Sequence, residues 1–399
     1  MGRMRATRAV IHLENFRWNI RLIQSHLAAG LSPGTRRPRI CVAVKADAYG
    51  HGIDEIGRTA VDEGVEYLAV ATVDEAVAVR DAGLSVPLLL YSLPCPEEIE
   101  EIVRRNITPL VADQGLCSLL SAEGRRQNRR VVVHVKVDTG MGRIGCRPED
   151  APELAGFIAQ DPWLSLEGVS THFPVADSAD RSFTEFQVDS FSRVIAAIRK
   201  NGVDPGIVHA ANSGGLLDYP SAWFDMVRPG ILTYGYYPSH EQERLLNVRP
   251  VMELESRLVF LKTVPSQTPI SYGLTFRTER ETRIGTVPVG YGDGYNRLLS
   301  NKADVLVEEA DGARRVRVAG RVCMDQFMVD LGPRSSAQLY DRVVLFGPAP
   351  AGPDAEELAD ILQTIPYEVT CNISKRVPRI FRDSDPGYPA DSERSAVQS

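Results

Sequence analysis

Lys45 is a candidate nucleophile because of its position in the chain. It follows the apolar run 40–44, which predicts a strand buried on both faces, and Gly50 and Gly52 then break the chain before a helical pattern begins. A lysine at the carboxyl end of a buried strand lies in apolar surroundings that lower its pKa, so its amine can act as a nucleophile or form a Schiff base. A strand-end lysine on its own more often only reaches solvent, so this hypothesis needs support from other residues.

Further polar clusters follow four other predicted strands: Lys136 and Asp138 with the glycine-rich turn to Arg143, His172, Asn212-Ser-Gly-Gly215, and Arg228-Pro-Gly-Ile231. In a barrel of parallel strands, the carboxyl ends meet at one face, which is where barrel enzymes place their chemistry. A single member such as His172 would more often be a hydrogen-bonded structural residue. The joint occurrence of five clusters predicts an active site at that face.

The clusters after the seventh and eighth strands have the composition of a phosphate site. Ser213 offers a hydroxyl, and Gly214, Gly215, Gly230 and Ile231 offer backbone N–H groups. A phosphate opposite the amine of a lysine indicates pyridoxal 5′-phosphate (PLP) as cofactor. An arginine such as Arg228, placed at the pyridine nitrogen, would keep that nitrogen unprotonated and make the ring a weaker electron sink.

Eight predicted strands position these residues: 40–45, 67–71, 87–91, 107–111, 131–138, 166–172, 207–211 and 225–228. Amphipathic helices are predicted in most of the gaps, as at 72–82, 96–105 and 183–200. Eight strand–helix repeats in about 200 residues indicate a (β/α)₈ barrel. A doubly wound open sheet is the alternative, but no Gly-x-Gly-x-x-Gly follows the first strand.

The pattern changes after about residue 235, where strand-like runs follow one another without regular helices: 254–264, 283–289, 304–308, 314–319, 327–331 and 343–346. A helix is predicted at 355–365, before a further run at 367–373. The predicted organisation is an α/β chain with a PLP-binding (β/α)₈ barrel at 9–240 and a mainly β C-terminal domain at 241–383, joined by an N-terminal strand at 5–13. Residues 384–399 are predicted to be a disordered tail.

Composition excludes several classes of protein. The net charge of −7 and a pI near 5.6 argue against nucleic acid or an anionic membrane as a partner. There is no apolar stretch long enough to span a membrane and no signal core, so a cytoplasmic location is expected. The six cysteines have no paired spacing and fit buried, reduced thiols, and the histidines form no metal-ligand cluster, so no metal is expected.

Motifs over nearly the whole chain resemble the alanine racemase family, whose members are fold-type III PLP enzymes. They are Ala43-Val-Lys-Ala-Asp-Ala-Tyr-Gly-His-Gly52, Lys136-Val-Asp-Thr-Gly-Met-Gly-Arg-Ile-Gly145, Thr171-His-Phe173, Ala211-Asn-Ser213, Arg228-Pro-Gly-Ile231, Ser271-Tyr-Gly273, Gly290-Tyr-Gly-Asp-Gly294, Gly320-Arg-Val-Cys-Met-Asp-Gln326 and Ile365-Pro-Tyr-Glu-Val369. Asp47 stands where many members have asparagine, and Phe276 replaces a frequent tyrosine. Neither departure removes a catalytic role.

The resemblance implies two bases that flank the α-carbon of alanine. Lys45 would carry the PLP imine and act on the D-isomer, and Tyr272 of the partner subunit in a homodimer would act on the L-isomer. Arg143 would bind the substrate carboxylate and the phenolic oxygen of PLP, positioned by Lys136, a candidate for carbamylation. Met324 of the partner subunit would help to bind the carboxylate.

The resemblance also implies a set of cofactor-binding residues: Lys45, Tyr49, Arg143, His172, Asn212, Ser213, Arg228, Gly230, Ile231 and Tyr367. Arg228 would face the ring nitrogen and connect through His172 to the partner's Tyr272, and this pair would lower the pKa of that phenol. Lys45, Tyr272, His172 and Arg228 are therefore the expected catalytic group. Tyr291, Arg297 and Arg321 would line the substrate entrance.

The function implied is interconversion of L-alanine and D-alanine, which supplies D-alanine for peptidoglycan. A serine racemase or a broader racemase of the same family remains an alternative. A fold-type III amino-acid decarboxylase would need a glutamate at the ring nitrogen and no tyrosine base, and a Schiff-base aldolase would leave the phosphate site and the second domain without a role. A PLP carrier resembles the barrel only, and a metal-dependent hydrolase lacks a ligand cluster.

Overall fold

The computed structural model describes residues 5–32, 34–349 and 351–384. These residues divide into two compact units, one made of residues 19–233 and 237–248 and the other of the remaining described residues. The described chain begins with strand β1 (Arg8–His12) and the helix Leu13–Ala29. Apart from Ser384, the predicted tail lies outside the described residues.

The first unit contains eight parallel strands in chain order: β2 (Arg39–Ala43), β3 (Tyr67–Val70), β4 (Leu88–Leu90), β5 (Thr108–Val111), β6 (Val131–Lys136), β7 (Leu164–Ser170), β8 (Ile207–His209) and β9 (Met226–Val227). Each strand pairs with the next from β2 to β8, and β2 also pairs with β9. Two backbone hydrogen bonds join the ends of β8 and β9, from Asp225 N to Val208 O and from Arg228 N to Ala211 O. The predicted (β/α)₈ barrel is confirmed.

Helices follow the barrel strands: Ile53–Asp62, Val73–Asp81, Ile99–Arg104, Gln114–Gln127, Ala151–Gln160, Ser182–Lys200 and Ser213–Asp218. At some of their starts a side chain satisfies a free backbone N–H group. Thr72 and Glu75 form a capping box on Val73–Asp81, and Asp113 accepts from Leu116 N on Gln114–Gln127. Within the barrel, one apolar cluster draws residues from five strands: Cys41, Tyr67, Ala69, Leu89, Ile207 and Met226.

The second unit is mainly β. Its further strands are β10 (Met252–Arg257), β11 (Phe260–Val264), β12 (Pro269–Ile270), β13 (Phe276–Arg277), β14 (Thr282–Val287), β15 (Asp304–Glu309), β16 (Gly312–Ala319), β17 (Phe327–Gly332), β18 (Arg342–Phe346) and β19 (Arg379–Arg382). Together with β1, eight of these strands form one nine-stranded sheet in the order β11-β14-β17-β16-β15-β18-β10-β1-β19. The strands β12 and β13 pair only with each other. Strand β1 lies antiparallel to β10 and parallel to β19.

Several predicted boundaries in this unit were wrong. The predicted strand 254–264 is two strands, β10 and β11, separated at Leu258 and Val259, because the backbone of Leu258 pairs with the loop at residues 340–341. The predicted helix 355–365 ends earlier, as Ala355–Leu362, where Gln363 adopts a left-handed conformation. The run 367–373 is mostly the short helix Pro366–Cys371, which begins with proline at its first position.

The cysteines are free, but the expectation that all are buried was wrong. Cys41, Cys117 and Cys146 are buried, Cys95 is exposed, and Cys323 and Cys371 are half-buried. Among the helices of the described chain, none combines the length and the apolar character needed to cross a bilayer.

Candidate active site

The residues after Lys45 form a left-handed turn. Ala46, Asp47, Ala48 and Tyr49 all have positive φ, between 52° and 54°. Residues other than glycine avoid this region because Cβ crowds the following carbonyl oxygen, which costs about 1–2 kcal/mol per residue. Four consecutive strained residues directly after the candidate nucleophile indicate a backbone held for function.

Two carboxylates hold this turn. Glu75 accepts from Ala46 N at 2.7 Å through one oxygen and from Ala71 N at 2.8 Å through the other, so it ties the turn to the end of β3. Asp47 accepts from Ile53 N at 2.8 Å and so satisfies the first N–H of the next helix. The position of Lys45, which is half-buried, therefore depends on contacts with two neighbouring segments.

Strand β6 delivers Lys136 to the carboxyl face, where the side chain is buried. Burial, followed by the charges of Arg228 and Arg143, holds the pKa of Lys136 well below its usual value, and Asp138 offsets only part of this effect. Asp138 also shapes the turn that presents Arg143, because one of its oxygens accepts from Gly140 N at 2.9 Å and from Gly142 N at 3.1 Å.

Arg228 is the best-connected side chain of the site. Its Nη2 donates to Thr171 O at 2.8 Å and to Ala210 O at 2.9 Å, and lies 3.2 Å from His172 Nδ1. Its Nη1 lies 2.9 Å from His209 Nδ1. The guanidinium is therefore held in one orientation by groups from several strand ends.

Cationic side chains converge on this region. Burial holds the pKa of His172 well below its usual value, and four further positive groups lower it more: Arg228, Lys136, Arg143 and Lys45. Such a concentration of positive charge in a partly buried site favours anionic groups. This is the electrostatic setting that a phosphate, a phenolate and a carboxylate would require.

The residues of the predicted phosphate site lie together. Ser213 Oγ accepts from Gly230 N at 3.0 Å, and a Cβ on Gly230 would lie 2.6 Å from Tyr49 Oη. Asn212 caps the short helix after β8 by accepting from Gly215 N, and Ile231 is fully buried behind the site. Gly230 thus permits a close approach that any larger residue would block.

In the second unit, Tyr272 lies in the turn between β12 and β13 and is 71% exposed. The following residue, Gly273, has φ 73°, and a Cβ there would lie 2.9 Å from the guanidinium carbon of Arg321. Ser271 Oγ donates to Arg321 O at 2.6 Å. The structure therefore places Arg321 against the turn that carries Tyr272.

Backbone hydrogen bonds join the segments that carry Met324 and Tyr291. Tyr291 N donates to Cys323 O at 3.0 Å, and Gly292 N donates to Met324 O at 2.9 Å. Asp293, which is fully buried, supports this segment through Arg5 Nη1 at 2.7 Å. Met324 is 52% exposed, a high value for a thioether side chain.

The two remaining predicted residues also lie in the second unit. Arg297 is exposed at the start of a short 3₁₀ turn, and Tyr367 is half-buried in the helix Pro366–Cys371. The structure therefore brings the predicted site residues into two groups, one at the carboxyl face of the barrel and one on the second unit.

Sequence reasoning missed the groups that surround Arg228 inside the barrel. His209 and His134 are both buried, and Tyr91 also interacts with Arg228. The available signal was a histidine within an otherwise apolar strand, as in Val131-Val-Val-His-Val135 and Ile207-Val-His209. A buried polar residue in such a run needs a hydrogen-bond partner.

Comparisons with known proteins cover both units. The model of the alanine racemase N-terminal domain matches residues 11–238, and that of the alanine racemase C-terminal domain matches residues 251–381. Alanine racemase of Treponema denticola is 45% identical over 95% of this chain and 99% of its own length. That of Desulfovibrio desulfuricans is 43% identical over 94% and 97%.

Solved structures agree. Alanine racemase from the D-cycloserine producer Streptomyces lavendulae superposes with a TM-score of 0.86 at 35% identity over 95% of this chain and 97% of its own. The Bacillus anthracis alanine racemase, solved with bound L-Ala-P, gives 0.86 at 33% identity over 96% of each chain. These relatives do not favour the alternative of a decarboxylase or a broader racemase. The chain therefore belongs to the alanine racemase family and has its racemase activity.

Proposed function

We propose that the chain uses PLP to interconvert L-alanine and D-alanine with two opposed bases, Lys45 and the partner subunit's Tyr272. The observation that carries this proposal is the environment of Arg228. Its side chain is buried and held by carbonyl and imidazole groups, so its charge is available to an aromatic nitrogen at the carboxyl face. An arginine there keeps a pyridine nitrogen unprotonated, which suits brief removal of the α-proton.

The residues present fit the cofactor. Tyr49, Ser213 and Gly230 form a close group that can receive a phosphate, with Asn212 and Ile231 beside it. The cationic groups around His172 can balance the negative charges of the phosphate and the phenolic oxygen. Lys45 would hold the cofactor through its Nζ, and Tyr367 would add a hydroxyl to the phosphate.

When bound, PLP supplies a conjugated ring that withdraws electrons from the α-carbon and so acidifies its hydrogen. Lys45 Nζ would take up or return that proton on the face used by D-alanine. The partner subunit's Tyr272 would do so on the opposite face, used by L-alanine. Racemisation needs both, because the proton leaves from one face and another arrives at the other.

Arg143 would hold the substrate carboxylate. The N–H of the partner's Met324 would assist, and the hydrogen bond from Tyr291 N to Cys323 O holds the peptide group that carries this N–H in one orientation. Tyr291, Arg297 and Arg321 would line the route by which alanine enters. Fixing the carboxylate places the α-hydrogen within reach of one base at a time.

Lys136 is suited to carbamylation. Its lowered pKa raises the share of the neutral amine, the form that reacts with carbon dioxide. A bond then forms between Nζ and the carbon of CO₂, and the amine releases a proton. The carbamate would carry a negative charge that orients Arg143.

The exposed residues of the second unit support a homodimer. Tyr272, Leu274 and Met324 are each more than half exposed, although they are large and mostly apolar. Such exposure is typical of surfaces that meet a partner. In the proposed dimer Tyr272 and Met324 complete the partner's site, so the monomer lacks one base.

We further infer a cytoplasmic enzyme whose D-alanine serves peptidoglycan synthesis. The racemase activity supports this role, and the six free cysteines fit a reducing compartment.

Two variants test the assignment of the bases. Lys45→Ala should lose both the visible absorbance of bound cofactor and racemisation. Tyr272→Phe should keep the cofactor but lose exchange of the α-proton with D₂O when L-alanine is the starting isomer. Unchanged exchange from L-alanine would contradict the role of Tyr272, and resolving the products of each L-amino acid on a chiral column would establish the substrate range.

A further inference from the structure

A buried chain of hydrogen bonds leads from Arg228 through the barrel. Arg228 Nη1 lies 2.9 Å from His209 Nδ1, and His209 Nε2 lies 2.8 Å from His134 Nδ1. His134 Nε2 lies 3.0 Å from a carboxylate oxygen of Glu167. Both imidazoles are almost fully buried, whereas the side chain of Glu167 is 32% exposed.

The direction of every hydrogen bond in this chain is fixed by its ends. A guanidinium can only donate, so His209 Nδ1 must accept and its proton lies on Nε2. His209 Nε2 then donates to His134 Nδ1, which leaves the proton of His134 on Nε2. That proton is donated to Glu167, which as a carboxylate can only accept. The arrangement is self-consistent when both histidines are neutral.

The backbone is shaped to admit this chain. His134 in β6 pairs with Gly168 in β7, and a Cβ on Gly168 would lie 2.6 Å from the ring of His134. Burial lowers the pKa of both His134 and His209, so both imidazoles are neutral at physiological pH, as the arrangement requires. Three adjacent strands thus contribute one member each to a single polar path across an apolar core.

We propose that Glu167 and His134 act through His209 as positioning residues for Arg228. The inference rests on the proposed role of Arg228 at the cofactor nitrogen. Glu167 fixes the tautomer of His134, His134 fixes that of His209, and His209 presents an unprotonated nitrogen to Arg228. Each bond polarises the next, which strengthens the anchor that holds the guanidinium in place.

The first test uses the protein without cofactor, so it does not depend on the proposed function. ¹⁵N–¹H correlation spectra of ¹⁵N-histidine-labelled protein distinguish protonated from unprotonated ring nitrogens. His209 and His134 should both be neutral with the proton on Nε2 near pH 7.5. A proton on Nδ1 of His209 would overturn the proposal, whatever cofactor the enzyme uses.

The second test compares two substitutions of His134 that differ in hydrogen bonding. His134→Gln retains a carbonyl that can accept from His209, whereas His134→Leu does not. We expect His134→Leu to weaken PLP binding about fivefold, the equivalent of one hydrogen bond, and to lower kcat with KM for alanine changed less than twofold. His134→Gln should stay within about twofold of the native protein in both properties.

Two further variants complete the test. Glu167→Ala should weaken PLP binding about twofold, because it removes the charged end while both histidines keep their partners inside the barrel. Glu149→Gln, at an exposed position of the same unit, is the control and should change nothing. If His134→Gln and His134→Leu had equal effects, His134 would contribute only packing and would not position Arg228. If Glu167→Ala left PLP binding unchanged, Glu167 would have no positioning role.

Discussion

Replacing Ala46 with glycine should stabilise the barrel. Ala46 has φ 52° and ψ 49°, a conformation that costs about 1–2 kcal/mol because of Cβ. Ala46→Gly removes that strain, and the added freedom of the unfolded chain offsets about 0.4–1 kcal/mol of the gain. The side chain is exposed, so little packing is lost, and its N–H still reaches Glu75. The net gain should be about 0.5–1 kcal/mol.

Ala122→Gly is the matched control. Ala122 is also exposed but lies inside the right-handed helix Gln114–Gln127, where glycine lowers stability by about 1 kcal/mol. The same chemical change should therefore have opposite signs at the two positions. We expect kcat of Ala46→Gly to fall about threefold, because a more flexible turn holds Lys45 less firmly.

Urea unfolding followed by circular dichroism, together with thermal melting, provides the assay. The midpoint temperature should rise by about 2 °C for Ala46→Gly and fall by about 2–4 °C for Ala122→Gly. If Ala46→Gly destabilised the protein as much as Ala122→Gly does, the argument from left-handed strain would be refuted.

Two further predictions concern cofactor binding and pH. Gly230→Ala places a Cβ 2.6 Å from Tyr49 Oη and should weaken PLP binding about tenfold. Gly156→Ala is the control, because a Cβ there would have no atom within 4 Å, and its affinity should not change. Equal affinities of the two variants in a PLP titration would show that Gly230 is not part of the phosphate site. His134, His172 and His209 have lowered pKa values, so below about pH 6.5 the unfolded chain binds protons that the folded chain does not. The free energy of unfolding should therefore rise with pH towards 6.5. His134→Gln should reduce the slope of this free energy against pH, measured by urea titration, by up to ~1.4 kcal/mol per pH unit. An unchanged slope would contradict the prediction.

The barrel could be predicted from the sequence because its strands are short apolar runs that alternate with helices. Strands at 67–70, 108–111 and 131–136 lie within the predicted ranges, since residues buried on both faces leave a continuous apolar signal. The strand boundaries of the mainly β unit were harder to predict. There the predicted strand 254–264 is divided at Leu258 by contacts with a loop about 80 residues later, which no local pattern reveals.

In the site, too, the features that depend on local sequence could be predicted, and those that depend on distant contacts could not. Lys45, Lys136, His172 and Arg228 are visible in the sequence because each follows an apolar strand. The left-handed turn after Lys45 is not, because alanine and tyrosine do not favour positive φ. The turn is held by the carboxylate of Glu75 in a later helix and by that of Asp47 within the turn itself. His134 and Glu167 were missed because their role depends on which strands are neighbours in the barrel.

The most direct test of the two-base account is complementation between two inactive proteins. Lys45→Ala and Tyr272→Phe each disable both sites of their own homodimer. When equal amounts are unfolded together and reassembled, half of the dimers are mixed and each mixed dimer has one intact site, so about a quarter of the native activity should return. Activity no higher than the sum of the separate variants would show that Lys45 and Tyr272 of different subunits do not share a site.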